Sequence, residues 1–232
     1  LELREKIENR QYRSNSLLPS ENELAREYDV SRETIRKALL LLLENGYIHK
    51  IQGKGSIVLD VHRYRLPVTG LLSFKERRQF QDVEATTKVI VNEEVDAPDF
   101  LVRLGLVKRG EKLIYLVRQR IVDGEAVILD KDYIRKSAIG ELPTDRVEES
   151  LYEYLENDLG IKISYGNKDF KIEPVSEEDS TYIDLNGHKH IAVLRSDVYT
   201  EGTDFLHYTE SRHRVDKFHF SEFARRKSNR IN

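Results

Sequence analysis

Residues 31–55, SRETIRKALLLLLENGYIHKIQGKG, join a strongly apolar helical pattern to a short basic hairpin, and they constrain the fold more than any other stretch. Ile35, Leu39 and Leu42 recur at the spacing of one helical face, which predicts a stripe packed against other helices. The charged side chains lie mostly off that stripe, in the first turns of the helix. Because packing alone does not require such an outer face, the pattern indicates a polar partner.

The residues before this stretch complete a pattern of three helices. Ser20 and Glu23 have the spacing of a capping box, which predicts a helix start, and Ser31 opens the following helix by the same logic. A tight turn at 29–30 separates these two helices. A short helix at 3–10 precedes them.

The residues after the helix predict a small hairpin. Gly46 supplies a left-handed stop, and two short strands follow at 47–51 and 56–59. The connection QGKG contains two glycines, which permit positive φ and let the backbone approach a partner closely. The order of helix, helix, tight turn, helix and hairpin is that of a winged helix-turn-helix. In such a unit the second helix of the pair enters the major groove N-terminal end first, and the wing reaches phosphate or the minor groove.

A packing unit whose charges are merely solvated is the alternative interpretation of these three helices. The two caps, the three-residue turn and the Gly-Lys-Gly wing together favour DNA binding over it. Residues 31–55 carry five basic against two acidic side chains, whereas the whole chain of 232 residues has a net charge of −3. The basic character is therefore local.

Four segments in this part resemble the DNA-binding domain of GntR-family transcriptional regulators, and they cover nearly all of residues 1–60. They are LPSE from position 18, VSRETIRKAL from position 30, NGYI from position 45 and GKG from position 53. The resemblance implies contact with operator DNA, although Asn22 stands where relatives often carry an arginine. The candidate DNA-binding residues are Ser20, Asn22, Ser31, Arg32, Glu33, Thr34, Arg36, Gly53 and Lys54.

The composition excludes several other classes of protein. Hydrophobic residues make up 39% and charged residues 34% of the chain, as in ordinary globular proteins. The longest apolar run, 38–43, is far shorter than the roughly 20 residues that cross a bilayer. The chain has no cysteine, which excludes disulfides and thiolate metal sites, and it shows no arginine-led apolar leader. We therefore expect a cytoplasmic protein without a membrane partner.

Beyond residue 60 the sequence predicts a linker and then a different kind of domain. Residues 61–68 contain Pro67 and show neither helical nor strand periodicity, which is typical of an extended linker. Residues 69–232 are predicted to form an α+β domain around an antiparallel sheet. Strands are predicted at 86–92, 112–122, 125–133, 161–165, 170–174, 191–200 and 205–215, and helices at 98–106, 148–159 and 176–185.

Strand alternation places two arginines of this second domain on one half-buried face. Arg118 and Arg120 fall on the same side of strand 112–122, about 7 Å apart, and Asp130 and Asp132 share a face of the next strand. Guanidinium groups on such a face must find anions. Internal pairing with carboxylates and bidentate binding of a ligand phosphate or carboxylate remain equal alternatives from alternation alone. The late strand likewise groups Glu210 with two further arginines, at positions 212 and 214.

Residues from about 69 onward resemble the UTRA effector-binding domain, which accompanies the GntR head in one branch of the family and has a fold similar to chorismate lyase. The resemblance lies in GLLSFKE at 70–76, RQRIVDGE at 118–125, SLYEYL at 150–155 and YTESRHRVDKF at 208–218. In relatives that bind phosphosugars, matching positions surround the phosphate and the sugar. The candidate effector-binding residues are Ser73, Phe74, Lys75, Arg118, Arg120, Asp130, Ser150, Tyr152, Tyr165, Glu210 and Arg212.

Within the family, VILDKDY at 127–133 and ISY at 163–165 resemble regulators of trehalose operons, which implies trehalose 6-phosphate as the effector. Another sugar phosphate or a small carboxylate is the alternative effector. The resemblance further implies a homodimeric repressor on a near-palindromic operator, induced by its effector.

Two other functions are alternatives to regulation. An enzymatic C-terminal domain behind a DNA-binding head is one, but no catalytic constellation stands out, since there is no Gly-x-Ser-x-Gly elbow. The pair formed by His188 and His190 is a weak metal pattern, and we expect neither a metal nor a cofactor. A protein–protein module is the other, and it predicts no salt-steep DNA binding.

Overall fold

The computed structural model describes residues 2–59, 74–75 and 85–218. The chain divides into two compact units, one that contains the first described range and one that contains the other two. The predicted linker at 61–68 lies outside the described residues. None of the helices in these ranges combines the length and the apolar character that a membrane span requires.

The first unit is a three-helix bundle with a small hairpin. Its elements are α1 (Glu2–Glu8), α2 (Glu21–Glu27), α3 (Arg32–Glu44), β1 (Ile48–Ile51) and β2 (Gly55–Val58). The two strands are antiparallel, with Ile48 opposite Val58. Helix α3 ends at Asn45, and Gly46 follows with a φ of 76°, which is the left-handed stop that the sequence predicts.

The apolar stripe of α3 holds this unit together. Ile35, Leu39 and Leu42 are buried and pack in one cluster with side chains from α1, α2 and both strands. Leu24 of α2 lies at the centre of the cluster and is completely buried. Because each fully buried aliphatic side chain contributes about 1.5–3 kcal/mol, these residues stabilise the packing of the three helices.

The second unit is built on one six-stranded antiparallel sheet in the order β3-β4-β5-β8-β7-β6. Its strands are β3 (Ala85–Asp96), β4 (Lys112–Val122), β5 (Glu125–Arg135), β6 (Ile163–Pro174), β7 (His190–Thr200) and β8 (Phe205–Arg214). Its helices are α4 (Asp99–Arg103), α5 (Lys136–Ile139), α6 (Thr144–Glu153) and α7 (Glu177–Tyr182). A turn of π-helix, Tyr154–Asp158, continues α6, and a 3-10 turn, Val215–Lys217, follows β8.

This architecture confirms the predicted α+β class, with a winged helix-turn-helix followed by an antiparallel sheet. Several details differ from the prediction; β3, for example, runs four residues beyond the strand expected at 86–92. The two strands expected at 161–165 and 170–174 are one continuous strand, because Gly166 and Asn167 pair with β7 instead of turning. Helix α5 was not predicted, and α6 begins four residues earlier than the expected helix at 148–159.

The two faces of the sheet are covered by different helices. Opposite residues of antiparallel strands point to the same side, so the register assigns each side chain to a face. One face carries Arg118, opposite Asp130, and packs under α6; we call it the arginine face. The other face carries Val117 and Leu129 and packs against Ile183, which follows α7.

Candidate functional site

The caps of the helix-turn-helix form as the sequence predicts. The Oγ of Ser20 accepts a hydrogen bond from the Glu23 amide at 3.3 Å, and Glu23 accepts one from the Ser20 amide at 2.7 Å. The Oγ of Ser31 accepts from the Thr34 amide at 3.1 Å. Both serines therefore fix helix starts, which is a structural role that does not require DNA. The capping hydrogen bond also lowers the pKa of Glu23.

The first turns of α3 present an exposed polar surface. Arg32, Glu33, Thr34 and Arg36 are all exposed, in contrast to the buried side chains of the apolar stripe. Arg36 pairs with Glu33 at 3.3 Å, so the two side chains lie together on this surface. Asn22 of α2 is also exposed.

One carboxylate lies among the basic side chains of this surface. Glu21, the first residue of α2, is 3.6 Å from Arg36, 3.8 Å from Arg32 and 3.6 Å from Lys50. Glu21 and Lys50 are not among the candidate DNA-binding residues predicted from the sequence. Their proximity shows that α2, α3 and the first strand of the wing meet at one basic surface, which Glu21 partly neutralises.

The wing has the turn that its glycines predict. Gly53 has a φ of 78°, and a Cβ added there would meet nothing within 4 Å, so the glycine is needed for the backbone conformation and not for space. Lys54 is exposed next to it, and its amide donates to the Ile51 carbonyl at 3.1 Å. The candidate DNA-binding residues of the wing therefore stand at the tip of the hairpin.

In the second unit, the two predicted arginines are buried and paired with carboxylates of the neighbouring strand. Arg118 Nη2 donates to Asp132 Oδ2 at 2.7 Å, and Arg120 Nε donates to Asp130 Oδ2 at 2.8 Å. Both pairs are diagonal, because the register sets Arg118 opposite Asp130. Only 5% of Arg118 and 3% of Arg120 is exposed. Of the two alternatives left open by the sequence, internal pairing is therefore realised here for both arginines.

Further polar groups extend this cluster across the arginine face. Arg120 Nη1 donates to Thr87 Oγ1 at 2.6 Å, and its guanidinium lies 4.6 Å from the centre of the Phe74 ring. Asp130 accepts a short hydrogen bond from Ser211, whose hydroxyl lies 2.8 Å from His213 Nε2. The side chains of the cluster thus link β3, β4, β5 and β8, in addition to the backbone pairing of these strands.

Burial and mutual proximity shift the pKa values of these groups. Burial and the neighbouring Arg118 lower the pKa of the Arg120 guanidinium to about 10. Burial acts to raise the pKa of Asp130, but Arg120 and Arg118 outweigh it and hold that pKa well below its usual range. The Arg120 guanidinium and the Asp130 carboxylate are therefore both charged at neutral pH.

Helix α6 covers the cluster and contributes two predicted residues. Ser150 is buried and has extended backbone angles that interrupt the helix, and its Oγ accepts from the Glu153 amide at 3.3 Å. It therefore caps a new helical stretch beside the cluster. Arg118 Nη1 reaches the Val147 carbonyl at 3.5 Å, and the Tyr152 ring lies edge-on to His207 at 5.8 Å.

Lys75 lies at the C-terminal end of α6. Its Nζ is 2.6 Å from Glu153 Oε2, so the lysine is bound to a carboxylate of the helix. Ser73, the remaining candidate of that segment, lies outside the described residues. The structure therefore brings Phe74, Arg118, Arg120, Asp130 and Ser150 to one face, with Tyr152 and Lys75 at its edge.

Glu210 and Arg212 do not belong to this group, which corrects the sequence prediction. The register sets Glu210 opposite Lys131 and Arg212 opposite Leu129, so both side chains lie on the face away from Arg118. There Arg212 binds Asp179 of α7 through two hydrogen bonds of 2.6 and 2.8 Å, and Asp179 is completely buried. These residues attach α7 to the sheet.

Tyr165 is also remote from the arginines. It lies on β6, the edge strand, and its ring stacks on Tyr199 at 4.9 Å. Four strand spacings separate β6 from β4, which amounts to about 19 Å. Tyr165 therefore cannot contact a ligand held by Arg118 without a rearrangement.

Sequence reasoning missed several members of the cluster. Alternation had indicated Asp132, but it was not chosen as a site residue. Thr87 and Ser211 join the cluster through strand pairing, for which the local sequence holds no signal. His207, which lies on the arginine face opposite Ile134, belongs to the same group.

Within residues 2–59, 74–75 and 85–218, no group of three or more His, Asp or Glu side chains could hold an ion. His188 instead lies 3.7 Å from Asp216.

Comparisons with known sequences cover both units. The profile described as "Bacterial regulatory proteins, gntR family" matches residues 1–58, and the UTRA domain profile matches residues 81–219. The chain is 44% identical over 227 residues to the HTH-type transcriptional regulator TreR of Bacillus subtilis, covering 97% of this chain and 94% of that protein.

Comparisons with solved structures agree. The effector-binding domain of the Bacillus subtilis trehalose repressor TreR is 39% identical with a TM-score of 0.56, covering 61% of this chain and 99% of that one. The possible regulator YydK of the same organism is 23% identical with a TM-score of 0.79, covering 96% of this chain and 97% of that one, which shows a common fold. The chain therefore belongs to the GntR family of bacterial regulatory proteins, with a UTRA domain as its second unit, and is a transcriptional regulator, not an enzyme.

Proposed function

We propose that this protein is a cytoplasmic repressor that binds operator DNA as a homodimer and releases it when a sugar phosphate, trehalose 6-phosphate, binds the arginine face. The observation that carries the proposal is the pair of buried guanidinium groups at the strand positions expected to grip a phosphate. Similarity to TreR, the trehalose repressor of Bacillus subtilis, supports trehalose 6-phosphate among phosphosugars.

The arginine face supplies the groups that a phosphorylated disaccharide needs. Two guanidinium groups and the Ser150 hydroxyl suit phosphate oxygens, since arginine binds such oxygens in a bidentate way. Asp130 offers a carboxylate to sugar hydroxyls, and the Tyr152 ring offers an apolar surface. Because the arginines are almost fully buried, the ligand must displace groups that now cover or pair with them.

Affinity for DNA is proposed to arise from the exposed turns of α3 and the tip of the wing. A single half-site of a few base pairs gives little affinity, so two copies on a near-palindrome are required. A coupling free energy of about 1–3 kcal/mol between the two units would change operator affinity roughly five- to 150-fold. The chain that joins the units transmits this coupling.

Thermal unfolding with a panel of sugar phosphates tests the effector assignment. Trehalose 6-phosphate at 100 times its dissociation constant should stabilise the folded protein by about 2.7 kcal/mol, since a ligand that binds only the native state adds RT ln(1 + [L]/Kd). Trehalose and inorganic phosphate serve as controls for each half of the ligand. If only another sugar phosphate or a carboxylate stabilises the protein, that compound is the effector and trehalose 6-phosphate is not. Chemical conversion of the ligand would contradict the assignment of a regulatory site.

The Arg36→Ala variant tests the DNA-binding surface. Operator affinity should fall roughly 30-fold or more, because an arginine that reads a base edge contributes about 1–3 kcal/mol and the homodimer loses two of them. Fluorescence anisotropy with a labelled operator measures this loss, and effector binding should not change. Arg13→Ala is the matched control, since it removes an equal charge from an exposed loop residue of the same unit. Equal losses in both variants would show that only overall charge matters.

A further inference from the structure

Arg118 has donor atoms to spare in its present pairing. One Nη donates to Asp132, and the other reaches the Val147 carbonyl only at 3.5 Å. Its Nε is buried and has no hydrogen-bond partner among the described residues. A guanidinium group offers five N–H donors in a planar fork, so much of its capacity is unused here. An anion with several oxygens would satisfy it better than one carboxylate oxygen does.

Asp132 connects this arginine to a buried histidine. One of its oxygens accepts from Arg118 at 2.7 Å, and the other lies 3.8 Å from Nδ1 of His207. Only 2% of Asp132 is exposed. If Arg118 turned to a ligand, Asp132 would remain as a buried carboxylate without its cation, which is a costly state.

His207 is the group that can relieve this state. It is 1% exposed, and neither ring nitrogen has a hydrogen-bond partner within the part of the chain that the structure describes. The groups that face it are Asp132 from β5, Arg118 from β4 and the Tyr152 ring from α6. Its partners in the register, Ile134 and Val198, are apolar.

The imidazole is neutral in the present arrangement. Burial lowers the pKa of His207 to about 4; the Asp132 carboxylate opposes this shift, and the Arg118 guanidinium adds to it. Movement of Arg118 from Asp132 onto a phosphate reverses the balance, because the carboxylate would then face His207 without a competing cation. The pKa of His207 should rise in the liganded protein.

We propose that the effector phosphate takes Arg118 away from Asp132, and that His207 then binds a proton from solvent and replaces Arg118 as the partner of Asp132. In the free protein the Asp132 carboxylate thus positions Arg118. In the complex, protonated His207 neutralises that carboxylate instead. This inference rests on the proposed binding of a sugar phosphate at the arginine face.

The sign of the pH dependence follows from proton uptake. A ligand whose binding takes up a proton binds more tightly as the pH falls, by up to about tenfold for each pH unit when one full proton is bound. The phosphate ester has its own second pKa near 6, and loss of its dianion works in the opposite direction at low pH. A comparison between variants with the same ligand separates the two effects.

Isothermal titration calorimetry of the full-length protein with trehalose 6-phosphate at pH 7, in two buffers with different ionisation enthalpies, measures the protons taken up. The wild type should take up at least about 0.5 proton per site, because a histidine titrates near neutral pH once burial no longer dominates. On ligand binding, His207→Gln should take up fewer protons than the wild type, by that same amount. The dissociation constant of the variant should therefore depend less on pH between pH 6.5 and 7.5. His190→Gln, an exposed histidine at the start of β7, is the matched control and should behave as the wild type.

The results distinguish the proposed effector binding from the proposed proton uptake by His207. If trehalose 6-phosphate and the other sugar phosphates of the panel do not bind the wild type, the proposed function fails and this inference fails with it. If the ligand binds but wild type and His207→Gln take up protons equally, only this inference fails. Should His207→Gln not fold, nitrogen-15 spectra of the histidine rings of the wild type, with and without ligand, answer the same question: an imidazole at position 207 that stays neutral in the complex overturns the proposal.

Discussion

Replacing Arg118 by Met and Asp132 by Leu in the same chain should give a folded repressor that binds its operator but no longer releases it on addition of trehalose 6-phosphate. The double variant removes both charges of a buried pair and substitutes apolar side chains of similar size. Such replacements are often neutral or stabilising, because two desolvation penalties disappear together. Effector affinity should nevertheless fall roughly 100-fold or more, since a charge-assisted contact to the phosphate is lost.

The single variant Arg118→Met supplies the contrast. It leaves Asp132 buried without its cation, so it should destabilise the second unit by about 3–5 kcal/mol at a pH where His207 stays neutral, and by less where His207 binds a proton. Urea unfolding measures the stability of both variants, and calorimetry measures effector binding. If the double variant is stable and still binds trehalose 6-phosphate as tightly as the wild type, Arg118 serves only the internal pair and does not contact the effector.

Replacing Arg212 by Met should strongly lower the free energy of unfolding of the second unit. It should not specifically lower the affinity for the effector. Arg212 holds Asp179 through two hydrogen bonds and lies 3.0 Å from Glu210. Asp179 is completely buried, so its carboxylate cannot turn to water when the arginine is removed. Breaking one side of a buried pair costs about 3–5 kcal/mol. The folded fraction should bind effector normally, because Arg212 lies on the face away from Arg118.

Arg109→Met is the matched control for this prediction. Arg109 pairs with Asp99 at 3.1 Å, but both side chains are well exposed. Exposed ion pairs contribute little, so the unfolding midpoint should hardly change. Effector affinity is measured at a temperature where Arg212→Met is folded. A loss of that affinity would show that Arg212 contacts the effector, and it would contradict the assignment of Arg212 to the face away from Arg118.

Local patterns predicted much of this fold because they report on neighbours in sequence. Strand β4 has the bounds that alternation predicts, and the turn after it has positive φ at Asp123 and Gly124, as a two-residue hairpin requires. The capping box at Ser20, the N-cap at Ser31 and the stop at Gly46 likewise predicted the start of α2 and both ends of α3. The prediction of one strand as two, 161–165 and 170–174, was wrong because the residues between them continue the ladder with β7, where Gly166 lies opposite Val198.

The candidate site was predictable only in part, and Arg118 and Arg212 show why. Alternation correctly indicated that Arg118 and Arg120 share a face, and that Glu210 and Arg212 share one. It could not tell that these are opposite faces of the same sheet. That relation depends on the register between β5 and β8, which are more than 70 residues apart in sequence.

The sequence by itself determined the two-part organisation, the winged helix-turn-helix, the strand character of the second unit and the family. These follow from local periodicity, caps and turns, whose free energies are set within a few residues. Only the tertiary structure decided which carboxylate each arginine binds, which arginines lie together, and that His207 stands buried beside Asp132. The physical reason is that a one-residue change of register moves every side chain of a strand to the other face, so long-range pairing alone selects the partners.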